Sequence, residues 1–371
     1  MIFLETISCR RTNSGVKKKC MSGILHVAWI CIGGYILCYI DYLGTPERKA
    51  NKNRVLEPIA KRFKISSKHL HCGSYACVYQ AVNVNENGMP NNTRKTYVVK
   101  RQRKNNVWKK QGHTLHAEAV MYRALQGGSG VANTYGYEED LKAETLVMDM
   151  LGSSLRNLFS IKCHGKFSLK TVLMLAEQMI SRIQFIHSRG FVHGDVTLLN
   201  FAIGSPGSIN QSTIFTVDFN LACRWRNFTA PEVESYKRKN RENGIFLDVK
   251  FIPWCKTYGR KEDLLNVGLQ LLTLVGLRKF HRWTKEALSS HDVMKLKTKL
   301  YRRTLPMVFI EYIKQNKKLK INNNPNYEGL KMMFRKTAKK LHITYPYDYK
   351  FDKCIRNSIA SKTLDEQYIE V

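Results

Sequence analysis

A long amphipathic helix that runs straight into a short polar loop constrains this chain more than any other feature. Val172, Leu175, Ala176, Met179, Ile183 and Ile186 recur at the three- and four-residue spacing of one helix face. The pattern predicts a helix over residues 168–189, with Ser168 as N-cap and Gly190 as the left-handed stop. His193-Gly194-Asp195 follows at once, and Asn200 lies five residues past the aspartate. Short apolar runs at 200–203 and 213–217, joined through Gly204-Ser205-Pro206-Gly207-Ser208, read as a hairpin ending on Asp218-Phe219.

Upstream, the period changes. Val78, Val82 and Val84 alternate with polar residues, and Tyr97-Val98-Val99 is a short β-rich run ending on Lys100. Residues 85–95, with Asn, Gly and Pro, read as a long hairpin turn. Residues 113–125 read as a helix and 145–150 as a strand. After residue 260 the chain reads as mostly helical, with Leu264, Val267, Leu271 and Leu274 at helical spacing. At 371 residues and 43% hydrophobic, the chain can build a large core without disulfides or metals. Its ten cysteines, among them Cys72, Cys77, Cys163, Cys223 and Cys255, form no C-x-x-C pair and no zinc spacing. They are expected to be mostly buried, small apolar residues in a reducing compartment.

Phosphoryl transfer needs phosphates held, charge neutralised and a hydroxyl aligned, with little covalent help from the protein. Lys100 at a strand end can grip phosphates, and Glu118 in the next helix can hold that lysine. Asp195 can accept the proton of a substrate hydroxyl, while Asn200 and Asp218 can bind Mg²⁺ that bridges the phosphates of ATP. Singly, each is read more simply as a turn, cap or surface charge. The ordered set predicts an α+β, two-lobed eukaryotic protein-kinase fold over residues 56–352. The β-rich N-lobe ends near 149, and the helical C-lobe runs from about 150.

The segment Phe167-Ser168-Leu169-Lys170-Thr171-Val172-Leu173-Met174, and its continuation to Ile183, resembles the casein kinase 1 group. So do Leu151-Gly152, Ser154-Leu155 and Leu158-Phe159, and, near the C-terminus, Asn326-Tyr327, Tyr347-Asp348-Tyr349 and Phe351-Asp352. Asn200-Phe201-Ala202-Ile203-Gly204 is also similar to tau-tubulin kinases, and His193-Gly194-Asp195 to vaccinia-related kinases. The resemblance implies that Met148 guards the back of an adenine pocket. Asp149 and Leu151 would present a hinge carbonyl and amide to adenine, and Asp263 would anchor the helix beneath the catalytic loop. It also implies transfer of the ATP γ-phosphate to protein Ser or Thr beside acidic or already phosphorylated residues.

The departures from that family cluster on phosphate handling. The phosphate-covering loop reads His71-Cys72-Gly73-Ser74-Tyr75-Ala76, keeping only Gly73 of the usual glycines. Gly194 stands where the family has Arg, Thr197 where it has the catalytic-loop Lys, and Asn220 where it has Gly. Ile245-Phe246-Leu247-Asp248 replaces Thr-Ala-Arg-Tyr, so both usual partners of Asp195 are missing. Two readings follow: a serine/threonine kinase with weakened transfer, or a pseudokinase scaffold that binds proteins, with or without ATP.

The flanks are less informative. Residues 1–55 form an extension whose apolar run at 24–43, bounded by basic residues, suggests a membrane-anchor helix. Residues 353–371 form a tail. The expected location is cytoplasmic, or nuclear without an anchor, which leaves the sequons at Asn91, Asn210 and Asn227 unmodified. A net charge of +32, from 61 Lys and Arg against 29 Asp and Glu, favours acidic or primed protein substrates. No specific nucleic-acid motif is present, and oligomeric state is not legible.

Overall fold

The computed structural model describes residues 59–73, 76–84, 89–90, 95–104, 114–162, 165, 167–226, 258–277, 298, 305–320 and 323–343. Nearer the N-terminus it describes three strands as backbone. The chain divides into two compact units, Met1–Leu56 and Glu57–Val371.

The first unit holds β1 (Ile2–Thr6), β2 (Leu25–Ile32) and β3 (Tyr35–Tyr42), antiparallel in that order. The anchor helix expected over 24–43 is therefore corrected to a pair of strands. Ile32 pairs with Tyr35. Only Gly33-Gly34 separates them, a length and composition that tight hairpins favour and helices do not. Val27, Trp29, Ile30, Tyr39 and Ile40 are β-branched or aromatic, types that suit strands. Among the described residues, no helix is long and apolar enough to cross a membrane.

The second unit opens with α1 (Ile59–Arg62), β4 (Phe63–Cys72), β5 (Cys77–Asn83), β6 (Thr96–Arg103), α2 (Leu115–Leu125), β7 (Thr134–Glu139) and β8 (Ala143–Asp149). The five strands form one antiparallel sheet in the order β4-β5-β6-β8-β7. Strand alternation sorts β6 onto two faces. Tyr97 and Val99 join Ile59, Phe63, Ala81 and Val147 in a small core on one face. Lys100 pairs across to Val78 and Leu146 on the other.

Helix α2 is fixed to that sheet through its N-terminus, where backbone N–H groups lack helical partners. Thr114 Oγ1 accepts from Ala117 N–H at 3.1 Å. Gln102 Oε1 of β6 accepts from Leu115 N–H at 2.7 Å, and Glu144 Oε2 of β8 from His116 N–H at 2.9 Å. Two strands thus cap the helix and set its position.

The helical lobe contains α3 (Leu155–Asn157), α4 (Leu169–Ser188), β9 (Phe191–Val192), β10 (Phe201–Ile203), β11 (Ile214–Thr216) and β12 (Cys223–Arg224). It continues with α5 (Arg260–Leu274), α6 (Val308–Lys317) and α7 (Tyr327–Lys340). Ser168 Oγ caps α4 by accepting from Thr171 N–H, and Gly190 leaves the helix at φ 89°. The six apolar residues that define its face are all fully buried, as are Leu264, Val267, Leu271 and Leu274 of α5. Strands β10 and β11 pair antiparallel as a hairpin. The architecture is a two-lobed α+β kinase fold.

The expectation for the cysteines is corrected in part. Cys72 and Cys77 lie directly opposite on β4 and β5 and are bonded to each other, and Cys223 is also disulfide-bonded. Cross-strand neighbours bring their Cβ atoms within reach of such a bond, which linear spacing hides. Cys163, Cys255, Ile245, Phe246, Leu247, Asp248, Tyr347, Phe351 and the sequons at Asn91 and Asn227 lie outside the described residues.

Candidate active site

Three chain segments meet at Lys100. Its Nζ donates to Glu118 Oε2 at 2.7 Å and to Asp218 Oδ1 at 3.3 Å. Glu118 is 1% exposed, whereas the Asp218 side chain keeps 40% of its surface open. Burial works against a charged Lys100, but the two carboxylates outweigh it and hold the ammonium above its ordinary range. Burial also opposes the Asp218 carboxylate, and Lys100 more than offsets it, leaving Asp218 below its ordinary range.

Asp218 adopts φ 61°, an unusual conformation for a residue with a side chain. Its N–H donates to the buried Tyr122 hydroxyl of α2 at 3.3 Å. Phe219, 1% exposed, packs edge-on against Tyr122 and tilted against His193. The helix that carries Glu118 therefore also fixes Asp218. Asn220 is not at positive φ, so the loss of glycine there costs the backbone nothing; the strained residue is Asp218.

The catalytic loop rests on one carboxylate. Asp263 at the start of α5 is fully buried and accepts from His193 N–H at 2.7 Å and Gly194 N–H at 3.1 Å. It also accepts from the Tyr258 hydroxyl at 2.9 Å and pairs with His187 Nε2 at 2.8 Å. Burial would raise its pKa; these donors hold it below the usual range. Above it, Asp195 N–H donates to His193 Nδ1 at 3.2 Å, and His193 Nε2 meets the Val217 carbonyl. Asn200 Nδ2 donates to both the backbone oxygen and the Oδ2 of Asp195, at 2.9 and 2.8 Å.

Gly194 is not a neutral replacement for Arg. It sits at φ 81°, and a Cβ there would lie 2.2 Å from the Leu221 carbonyl oxygen. Thr197 is half-buried at the start of a 3₁₀ turn (Leu198–Asn200), and its side chain makes no capping hydrogen bond.

At the hinge, Met148 is buried and pairs with Val98. The Asp149 carboxylate accepts from the Tyr135 hydroxyl at 2.6 Å and from Asn133 N–H and Nδ2, which holds the strand end to β7. On either side of Leu151, the Met150 carbonyl accepts from Ser205 Oγ and Gly152 N–H donates to the Ile203 carbonyl. The Leu151 backbone makes no such bond among the described residues, which leaves its N–H for a ligand. Gly73 N–H donates to the Ala76 carbonyl at 3.0 Å, and a Cβ on Gly73 would meet only ordinary contacts.

The residues present fit Mg-ATP. Asp218 offers a half-open carboxylate, and Asn200 spends its amide nitrogen on Asp195, leaving the carbonyl oxygen for a metal. Sequence reasoning missed Tyr122, Gln102, Glu144 and His187. Tyr122 was within reach, because it lies four residues after Glu118 on the same helix face. Gln102 and Glu144 were not, because their partners are backbone groups.

A β-sheet lobe with a helix-held lysine, joined to a helical lobe presenting Asp195, Asn200 and Asp218, defines a two-lobed phosphotransferase. The model of the protein kinase domain matches residues 66–340, well over half the chain. The chain belongs to the protein kinase family.

Proposed function

We propose that this protein is a serine/threonine kinase of the casein kinase 1 type. It transfers the ATP γ-phosphate to Ser or Thr in acidic or primed protein segments, at a reduced rate. The observation that carries this reading is the assembled set: Lys100 bonded to both Glu118 and Asp218, with Asn200 holding Asp195. In this reading Lys100 grips the α- and β-phosphates and Met148, Asp149 and Leu151 frame the adenine. Gly73 covers the phosphates, and Asp195 takes the proton from the substrate hydroxyl. Mg²⁺, held by Asp218 and Asn200, would supply the charge neutralisation that the transfer needs. The basic surface suits phosphorylated or acidic substrates.

A second reading is a pseudokinase scaffold. It is supported by Thr197, which puts a neutral, uncapped side chain where a cation would face the transferring group. Phosphorylation of casein by the full-length chain with Mg-ATP, against Asp195→Asn, separates the two. Transfer lost in the variant is expected. No transfer by either, with Mg-ATP binding intact, would overturn the kinase in favour of the scaffold.

A further inference from the structure

The tip of the β4–β5 hairpin carries chemistry that the phosphotransfer reading does not use. Cys72 and Cys77 face each other across the strands, with Cα atoms 4.0 Å apart, and are joined by a disulfide. The bond closes the segment that contains Gly73. Cys72 is exposed and Cys77 half-buried, so solvent reaches the pair.

The surroundings are basic. Cys77 pairs directly with Arg101 on β6. Both cysteines line an open pocket of about 930 Å³, whose other walls include Tyr79, Arg101, Arg103 and Lys142. Arg101 meets one carboxylate, Asp140, at 3.5 Å with both partners largely exposed, and the pocket keeps a cationic excess. Cations beside an accessible cysteine favour the thiolate, the form that attacks disulfides. A pocket with three cationic side chains next to a thiol also suits a small anionic disulfide carrying carboxylates.

We propose that Cys72 and Cys77 form a reversible redox site whose oxidant is a small anionic disulfide of the glutathione class, docked on Arg101, Arg103 and Lys142. The Cys77 thiolate attacks one sulfur of glutathione disulfide and expels one glutathione thiolate. Cys72, deprotonated, then attacks the Cys77 sulfur of the mixed disulfide and expels the second. The dithiol is oxidised to the disulfide, and one glutathione disulfide is reduced to two glutathiones.

A consequence, which rests on the proposed nucleotide site, follows from Gly73. In the bonded form its N–H is committed to the Ala76 carbonyl at 3.0 Å. Reduction releases the strand ends and frees that N–H for phosphate. The oxidised protein is the weaker Mg-ATP binder.

The test uses the full-length chain, reduced and then exposed to glutathione disulfide, with peptide mapping of the cysteines and isothermal titration of Mg-ATP. Loss of both thiols into a Cys72–Cys77 bond is expected, reversed by excess glutathione. Arg101→Gln is expected to oxidise about threefold more slowly, because the cation beside the attacking sulfur is removed while the thiol's intrinsic nucleophilicity rises. Persistent free thiols, or glutathione retained on one cysteine, would overturn the site, and an unchanged rate in Arg101→Gln would overturn the role of the basic pocket. Equal Mg-ATP affinity in both redox states, or an oxidation-sensitive affinity in Cys72→Ser/Cys77→Ser, would overturn the switch. Absence of Mg-ATP binding in both states would instead sink the nucleotide reading, while the peptide map alone still decides the redox site.

Discussion

The floor of the catalytic loop and its phosphate-facing side differ in construction. Beneath the loop, the buried Asp263 collects two backbone N–H groups, a tyrosine hydroxyl and a histidine, drawn from three places along the chain. On the phosphate side, Thr197 has no capping bond, and Gly73 is closed on its own loop. The floor that holds the loop in shape is fully bonded, and the side that would handle a transferring group is not. A fold constraint is felt by every copy that must fold; a charge facing the phosphate matters only to the rate. The Lys100 cluster stands between these extremes, because Glu118 and Asp218 both bind Lys100, while Tyr122 and Phe219 lock α2 to the helical lobe.

The comparison breaks most visibly at Asp263. Asp263→Ala strands a buried N–H, a part-buried N–H and a neutral histidine, so we expect a loss of about 3–5 kcal/mol of stability. Denaturant titration of the full-length chain checks it; a loss under 1 kcal/mol would mean that the floor is not what holds the loop.

Next in size is Gly194→Ala. The added Cβ would press on the Leu221 carbonyl at a left-handed φ, at a cost of about 2 kcal/mol. A thermal melt reads this directly. An unchanged Tm would show that the chain relaxes there, and that the arginine of related kinases could be restored without penalty.

On the phosphate side the expected effect falls on rate rather than stability. Thr197→Lys restores a cation beside Asp195 and should raise kcat about tenfold, less than the ~10²–10³ of a fully oriented donor. Steady-state phosphorylation of an acidic peptide measures it, alongside an unchanged melting curve. A drop in stability without a gain in rate would place Thr197 among the structural residues instead.

The smallest effect is a pH slope. Burial lowers the pKa of His187, and its contacts to Asp263 and the Tyr327 hydroxyl do not reverse this. Below the unfolded value near 6.5, the unfolded state takes up the proton first, so stability is fully present above that pH and declines below it. The slope is at most ~1.4 kcal/mol per pH unit. His187→Gln should flatten the curve between pH 6.5 and pH 5; an identical slope in the variant would assign it to other groups.

Much of this was written in the chain itself. The helical period of α4, its Ser168 cap and Gly190 stop, and the β10–β11 hairpin follow from local rules that each segment obeys alone. The order Lys100, Glu118, Asp195, Asn200, Asp218 pointed to a kinase because phosphoryl transfer needs those groups and protein kinases place them in that order along the chain. What tertiary structure decided is where the chain meets itself. Residues 24–43 read as a membrane helix by hydrophobicity, yet Leu25–Ile32 and Tyr35–Tyr42 within them pair as strands. Cys72 and Cys77 read as unrelated, yet register places them opposite. Gln102 and Glu144 gave no signal at all, since a side chain that caps a distant helix leaves no period in its own segment. Gly194 read as a lost arginine, and only the approach of the Leu221 carbonyl shows why a glycine is needed there. Hydrogen bonds to backbone depend on geometry rather than on residue type, so the sequence could name the chemistry of the site but not the contacts that hold it in place.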